Sequence, residues 1–590
     1  MKYIKYTLKI LVVACVATAC TDFLETNPPT EFTSSDVWSD PALAEAYVNQ
    51  IYGEVPWSVA GTAGNVDESR SRQQAGFDIN NAQITPDNSG FGNWNGTYSS
   101  IRKANNFLAN LDDVDFGDAE SDGVLLSDRI TGEIYFLRAM FYFNLVRHLG
   151  GVPIITHVYE LNEEYNVPRD SFEDVIDFIV KDLDEAAGLL PFINSGSSDG
   201  RATKGAAMAL KSRVLLYAAS DLHNPQENST ITGSFSNPEL LGYTSGDGTD
   251  RWQAAKDAAK DVIDLEIYSL YEPNPSTGEE ATENYGNLFT SGKSVEDIFV
   301  RYRSATIGQG YDGWALAPNG WYGNAGVGAI NELVEDYRMA DGSKYDRSNP
   351  DHENEPYKDR DPRFYASILS EGNTYRQRPA DLVSHDPDGV GQFGRWEKWD
   401  SDNNEMVLTH GLDSRNSIAN SWNGNRTGAT MLKFLDKSVD IEANDQDLTW
   451  RYIRYGEILL NYAEACIELR EDAEARKYIN MIRQRAYMPD VTASGDELRE
   501  EYRNERRIEL VYENHRFFDV RRWLIGPEAY HPVHGVEIVY ELQPDNTTAE
   551  IPTITPIQIM EGKWDDSGYF FPIPRDERNR NDLLIQNPGY

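Results

Sequence analysis

Residues 454–487 read RYGEILLNYAEACIELREDAEARKYINMIRQRAY. Two helical stretches, 454–470 and 472–487, follow each other with almost no connection, so they fold back on one another as a tight pair. Small residues within Tyr462-Ala463-Glu464-Ala465 let the two backbones approach closely. Cys466 falls in the same amphipathic pattern and reads as a small core residue rather than a nucleophile. After Gly495 a third helical segment is expected over 496–523.

The same idea recurs upstream. Helices are expected over 132–150, 171–190, 203–221 and 251–265. The first stops at Gly150-Gly151-Val152-Pro153, a glycine-then-proline ending. The second starts at a Ser171 cap with Asp174 three residues on, and Pro191 closes it. The third turns Ala206, Ala209, Leu210, Val214, Leu215 and Ala218 inward, with Tyr217-Ala218-Ala219 again small at the contact. Several such pairs resemble a tetratricopeptide-type array, in which each pair buries its face against the next. The fold class is therefore mostly α. Residues 268–449 have another texture: Gly, Asn, Asp, Trp and Tyr dominate, and helical periodicity is scarce apart from 331–338. A loop-rich region of this size is usually functional. The expected layout is a helical scaffold over about 36–267 and 450–525, loops over about 268–449 that carry the site, and an irregular segment over 526–590. Trp450 and Trp523 are expected to be packing residues on helices.

At the start of the chain, Lys2, Lys5 and Lys9 lead into an apolar run over 10–19 that ends Ala17-Thr18-Ala19 before Cys20. That order is a secretory signal, and its apolar part is too short for a membrane helix. The cysteine at its end suggests a bacterial lipoprotein signal over 1–19, with Cys20 acylated as the first mature residue, although Ala17 stands where such signals usually carry Leu. Acyl chains there hold by partition into lipid, at roughly 0.8 kcal/mol per buried CH₂. Residues 20–35 form the anchor and a leash rich in Pro, Thr and Ser. Loss of three lysines and no acids takes the net charge from −42 to −45. No basic patch is left to bind nucleic acid, and lying flat on an anionic membrane is disfavoured. Cys15 leaves with the signal and Cys20 takes the lipid, so only Cys466 remains and no internal disulfide is expected.

With 96 acidic residues, two carboxylates at glycosidase separation arise almost anywhere and carry no specificity. His531 and His534 flank Pro532 and lack the H-E-x-x-H zinc arrangement. Gly196-Ser197-Ser198-Asp199-Gly200 fits G-x-S-x-G, but as a linker between two helices rather than after a strand. Asn331 stands where a dinucleotide loop beginning Gly326-Val327-Gly328 needs its third glycine. Asp400, Asp402 and Asn404 imitate a calcium loop, with Glu405 where the turn needs glycine. No catalytic residue, cofactor or metal ligand is assigned.

The C-terminal segments resemble the SusD/RagB family of outer-membrane nutrient-binding lipoproteins. The resemblance lies in the stretch from Arg454 to Ala465, in Tyr478-Ile479-Asn480-Met481-Ile482-Arg483 and in Glu505-Arg506-Arg507-Ile508-Glu509-Leu510. It continues through Glu513, Arg516-Phe517-Phe518-Asp519-Val520-Arg521-Arg522-Trp523, Phe571-Pro572-Ile573-Pro574 and Gln586-Asn587-Pro588-Gly589-Tyr590. Tyr98, Ile101, Ala104-Asn105, Leu137-Arg138-Ala139, Tyr142 and Gly151-Val152-Pro153 extend it into the first half, and the middle loops are least alike. Physically these are packing and ion-pair elements: Glu505, Arg506, Arg507 and Glu509 can pair along a helix face, and Arg516 can meet a carboxylate. The resemblance implies one SusD-like domain over 36–590, with four tetratricopeptide-like units and a loop-rich ligand face. It also implies a lipid-anchored place in the outer membrane facing the exterior, and a SusC-like TonB-dependent transporter as partner. The implied ligand is an oligosaccharide, captured without catalysis; an oligopeptide and, from another class, a secreted glycoside hydrolase are the alternatives.

Sugar recognition needs flat apolar faces with Asn, Asp, Gln or Arg at their edges, and Trp and Tyr supply the platform at little entropic cost. The loop aromatics Trp57, Trp94, Trp314, Trp321, Tyr322, Trp396, Trp399 and Trp422 are candidates. Trp314, Trp321 and Tyr322 rank first, in a Gly/Asn-rich run where Asn319-Gly320 suggests a presenting turn. Trp94 follows, with Asn95, Asn324, Arg70 and Arg72 as polar neighbours.

Overall fold

The computed structural model describes residues 34–70, 77–88, 90–160, 162–163, 165–424, 426–441 and 443–590. The expected signal, Cys20, most of the leash and Arg72 lie outside the described residues. Eight helices run as a series: α1 (Trp94–Ala109), α2 (Leu126–Leu149), α3 (Phe172–Leu189), α4 (Lys204–Ala219), α5 (Gly248–Ile263), α6 (Tyr455–Glu468), α7 (Asp472–Arg485) and α8 (Asp496–Glu509). Each packs on the next, and α5 packs directly on α6 although residues 264–454 intervene. The array is thus continuous in space and broken in sequence, with the loop-rich region inserted at the break.

Local chemistry sets the helix ends. The Ser171 hydroxyl caps α3 by accepting from Asp174 N at 3.0 Å, and Thr203 caps α4 by accepting from Ala206 N at 3.1 Å. Gly150 ends α2 at a φ of 77°, where an added Cβ would lie 2.2 Å from the Leu240 carbonyl oxygen. Along α4, Ala206, Ala207, Ala209, Ala218 and Ala219 are all buried, as close helix approach requires.

Four expectations need correction. The segment 496–523 is two helices, α8 and Arg516–Arg522, because Tyr512 and Asn514 adopt left-handed backbone at φ 63° and 67°. Trp450 lies not on a helix but in β4 (Leu448–Arg454), which pairs antiparallel with β1 (Asp297–Arg303); β-branched and aromatic residues at 449–453 favour a strand. Within the loop-rich region Gly278–Thr290 is a helix capped by Thr277. The C-terminal segment is not irregular: β5 (Val533–Tyr540) and β6 (Thr553–Met560) form a hairpin, and β5 runs parallel to β2 (Arg395–Asp400). β2 and β3 (Glu405–His410) form a second hairpin, giving the order β6-β5-β2-β3. The apparent calcium loop is the turn of that second hairpin: Asp400 Oδ1 accepts from Asp402 N at 2.9 Å, and Asn404 sits at φ 54°.

Apolar side chains form one large cluster along the helix array and a second around the insertion, the latter including Phe289, Trp321, Leu333, Phe364 and Met431. A buried ionic seam links α7 and α8 to the insertion. Arg454 contacts Glu296 at 3.1 Å, Glu509 at 2.8 Å and Glu513 at 2.7 Å, and Arg363 contacts Glu505 at 2.5 Å. Burial alone would raise the Glu509 carboxyl, yet Arg485, Arg454 and Arg363 hold it well below the usual range. The expected pairing along the face of α8 is therefore replaced by pairing across elements: Arg506 meets Asp519 at 2.9 Å, and Arg507 meets Asp336 at 2.5 Å. Removed from water, each charge needs a partner that only tertiary structure brings.

Candidate functional site

Residues 311–324 fold as a chain of short turns. The Asp312 carboxylate accepts from Trp314 N at 2.9 Å, and Tyr322 closes the next turn at φ 59°. The Trp314 indole Nε1 donates to the Tyr322 carbonyl at 2.9 Å, and the Trp314 carbonyl accepts from Asn324 N at 2.8 Å. The indole is thereby fixed in orientation while 43% of the residue stays exposed. The half-buried Tyr322 directs its hydroxyl to the Asp381 carboxylate.

A second loop is tied to this one. The buried Asn319 donates from Nδ2 to the carbonyls of Ser414, at 3.1 Å, and Asn420, at 2.9 Å. Asn423 Nδ2 donates to the Gly323 carbonyl at 3.2 Å. Trp422, 75% exposed, is thus carried by a loop fastened to the segment that bears Trp314 and Tyr322.

Beneath lies a charged frame. Gly320 N donates to Asp413 Oδ1 at 2.9 Å, and a Cβ on Gly320 would fall 1.9 Å from the Arg378 guanidinium. Arg378 pairs with Asp413 at 2.8 Å and Asp386 at 2.6 Å. Its guanidinium lies 3.6 Å over the Trp321 ring. Burial disfavours its charge, but the two aspartates outweigh burial and hold the group protonated.

Trp321 therefore differs from the expectation. It is 3% exposed, its indole donates to the Gln377 carbonyl at 3.1 Å, and Tyr375 meets it edge-on at 5.0 Å. No face is open for stacking, and its place is under the loop.

Trp94 and Asn95 open α1 in a different setting. Trp94 is buried and packs against Tyr98 at 4.8 Å, whereas Asn95 is exposed. Both line a groove of about 680 Å³ shared with Tyr159, Tyr165 and Asn581, a groove whose described lining has no residue from 311–324. Asn324 is half-buried within the turn chain. Arg70 is buried and donates to the Val66 and Ser69 carbonyls at 2.6 Å, a structural role. Trp396 stacks on Tyr540 at 4.6 Å, and the Trp57 ring has the Arg301 and Arg303 guanidinium groups over it at 5.3 and 4.9 Å. The frame residues Arg378, Asp386 and Asp413 were not found from sequence, since nothing local distinguishes them among so many charges.

Among the described residues no three His, Cys, Asp or Glu side chains gather as a metal ion would require. His534 pairs with Glu332 at 2.6 Å, away from His531, which hydrogen-bonds the Pro532 carbonyl. No helix of the described residues is long and apolar enough to cross a membrane.

A stacked-helix array interrupted by a turn-rich insertion that displays aromatic rings defines a helical-repeat scaffold with a loop-borne contact face. Its ion-paired seam draws on Arg454, Glu505, Arg506, Arg507, Glu509, Glu513 and Asp519 of the C-terminal motifs, and the model of the SusD family matches residues 281–590, more than half of the chain. The chain belongs to the SusD family. A second model, described as starch-binding associating with outer membrane, matches residues 22–216. Among curated relatives, SusD-like protein P38 of Formosa agariphila is 22% identical, covering 91% of this chain and 94% of its own. Among solved structures, a SusD-like protein from Bacteroides fragilis superposes with a TM-score of 0.72 at 29% identity, covering 95% of this chain and 99% of that one. A SusD-like carbohydrate binding protein of the same species gives 0.68 at 23% identity, covering 93% and 99%. A laminarin binding SusD-like protein gives 0.60 at 20% identity, covering 94% and 100%.

Proposed function

We propose that this protein captures oligosaccharides at the cell surface and passes them, unaltered, to a SusC-like TonB-dependent transporter, held in the outer membrane by lipid on Cys20. The observation that carries this reading is the exposure of Trp314 and Trp422 on two loops fastened to each other over a buried frame. Such rings offer flat apolar faces to the C–H side of a pyranose, and the fixed orientation of the Trp314 indole lowers the entropy lost on binding. Tyr322 and Asn324 are half-buried in the same turn chain as Trp314 and bring polar groups to that loop. Trp321 supports the platform from below. Two solved relatives described as carbohydrate binding and laminarin binding support the ligand class. Isothermal calorimetry of residues 21–590 against an oligosaccharide panel tests the reading. Saturable binding that Trp314→Ala abolishes, with a nearly unchanged melting temperature, is expected. Release of reducing ends from a glycan, or binding of peptides alone, would overturn it.

A further inference from the structure

A separate cavity of about 420 Å³ lies where the loop of residues 56–65 and the α2 C-terminus face the 513–518 segment. Asn514 pins that loop: its Oδ1 accepts from Thr62 N at 2.9 Å, and its Nδ2 donates to the Ser58 carbonyl at 2.7 Å. The volume falls within the usual range for small-ligand sites and suits one or two saccharide rings. Aromatic side chains, among them Trp57, Phe91 and Tyr452, share the lining with Asn65 and Asn93.

The cations of this lining are not equivalent. Arg213 pairs with Glu457 at 2.5 Å. Burial and the nearby Arg147 charge push the His148 ring down to about 3, and burial first, then four arginines, hold His515 well below its ordinary value, so both are neutral at pH 7. Among the described lining residues the one acid, Glu513, is taken by Arg454 and Lys433, at 2.7 and 2.8 Å. Arg147 has no such match. Its Nη2 donates to Asn144 Oδ1 at 2.8 Å and its guanidinium lies 4.1 Å over the Phe518 ring. Its buried Nε has no hydrogen-bond partner, and no Asp or Glu of the described residues pairs with it. Arg147 is half-buried, so part of its guanidinium faces the cavity with no acid opposite it, and an anion entering the cavity would compensate that charge.

We propose that this cavity is a second saccharide subsite, selective for a carboxylate-bearing sugar such as a uronate, with Arg147 as the counter-ion. It rests on the glycan-capture reading. The carboxylate takes Nη–H groups of Arg147, and the aromatic walls and amides take the ring.

The test is calorimetry of residues 21–590 with three ligands: trigalacturonate, its methyl ester, and a neutral oligosaccharide that binds the wild-type protein. The acid should bind at least about tenfold more tightly than its ester, and Arg147→Gln should remove that preference while neutral binding is retained. Arg147→Lys, which keeps the charge, should restore part of it. Equal binding of acid and ester to the wild-type protein, a comparison that needs no variant, would overturn the proposal and leave glycan capture standing. So would full acid binding by a folded Arg147→Gln. Arg147-dependent binding of peptides ending in a free carboxylate, with no saccharide binding, would overturn both. Absence of any saccharide binding would likewise sink both.

Discussion

Arg516 grips Asp67 with two parallel bonds, Nη2 to Oδ2 at 2.7 Å and Nε to Oδ1 at 2.9 Å, across 449 residues of chain. Both side chains are buried. Burial pushes the Asp67 carboxyl up, but Arg507 and Arg516 prevail and hold it far below the usual carboxylate range. The C-terminal motif thus fixes the N-terminal loop region against the helical array. Removing one partner strands the others without charge compensation. Asp67→Ala should therefore cost about 3–5 kcal/mol, read as a lowered denaturation midpoint.

Trp314 and Trp321 are seven positions apart and should answer mutation in opposite ways. Trp314→Ala removes a ring that is nearly half exposed and one bond to the Tyr322 carbonyl, so stability should fall by no more than about 1 kcal/mol while oligosaccharide binding is lost. Trp321→Ala empties a buried site under Arg378 and should destabilise by about 3–5 kcal/mol. Thermal denaturation and calorimetry on both variants separate the platform from its support.

Glu371 sets a pH response. Burial pushes its carboxyl up to about 7, against the bonds it accepts from Tyr540, Phe393 and Gly394. Between roughly pH 4.3 and 7 the folded protein holds a proton that the unfolded chain has released. Its contribution to stability is complete below the unfolded value and is lost as pH rises through about 7. Glu371→Gln should remove that part of the slope, so the wild type should gain melting temperature relative to the variant as pH falls from about 8 to 5. Parallel curves would refute the assignment.

Cys466 is fully buried, and burial pushes its thiol up to about 12. In residues 21–590 it is the single cysteine. Native protein should resist alkylation by iodoacetamide at pH 8 and react stoichiometrically once unfolded, which mass spectrometry reads directly.

The helix array was legible from short-range signals. Ser171, Thr203 and Gly150 act within a few residues of where they stand, and alanine-rich faces such as that of α4 report close packing whatever surrounds them. The break after Glu509 was not legible, because the left-handed turns at Tyr512 and Asn514 are held by contacts to residues 58–68. The strand holding Trp450 was missed for a similar reason: its partner, Arg301, is far away in sequence.

By itself the sequence determined the mostly helical class, the caps, and the motif residues that mark the family. Only tertiary structure decided which aromatics meet solvent. Trp314 and Trp321 share a loop and a composition, yet one is exposed and the other lies under a guanidinium that pairs with Asp386 and Asp413. The α2 arginine Arg147 reads in sequence like any helix-end cation, and its missing counter-ion emerges only when the loop at 56–65 and the 513–518 segment close around it. Propensity and capping are local interactions, whereas exposure and charge compensation depend on which distant segments pack against a side chain.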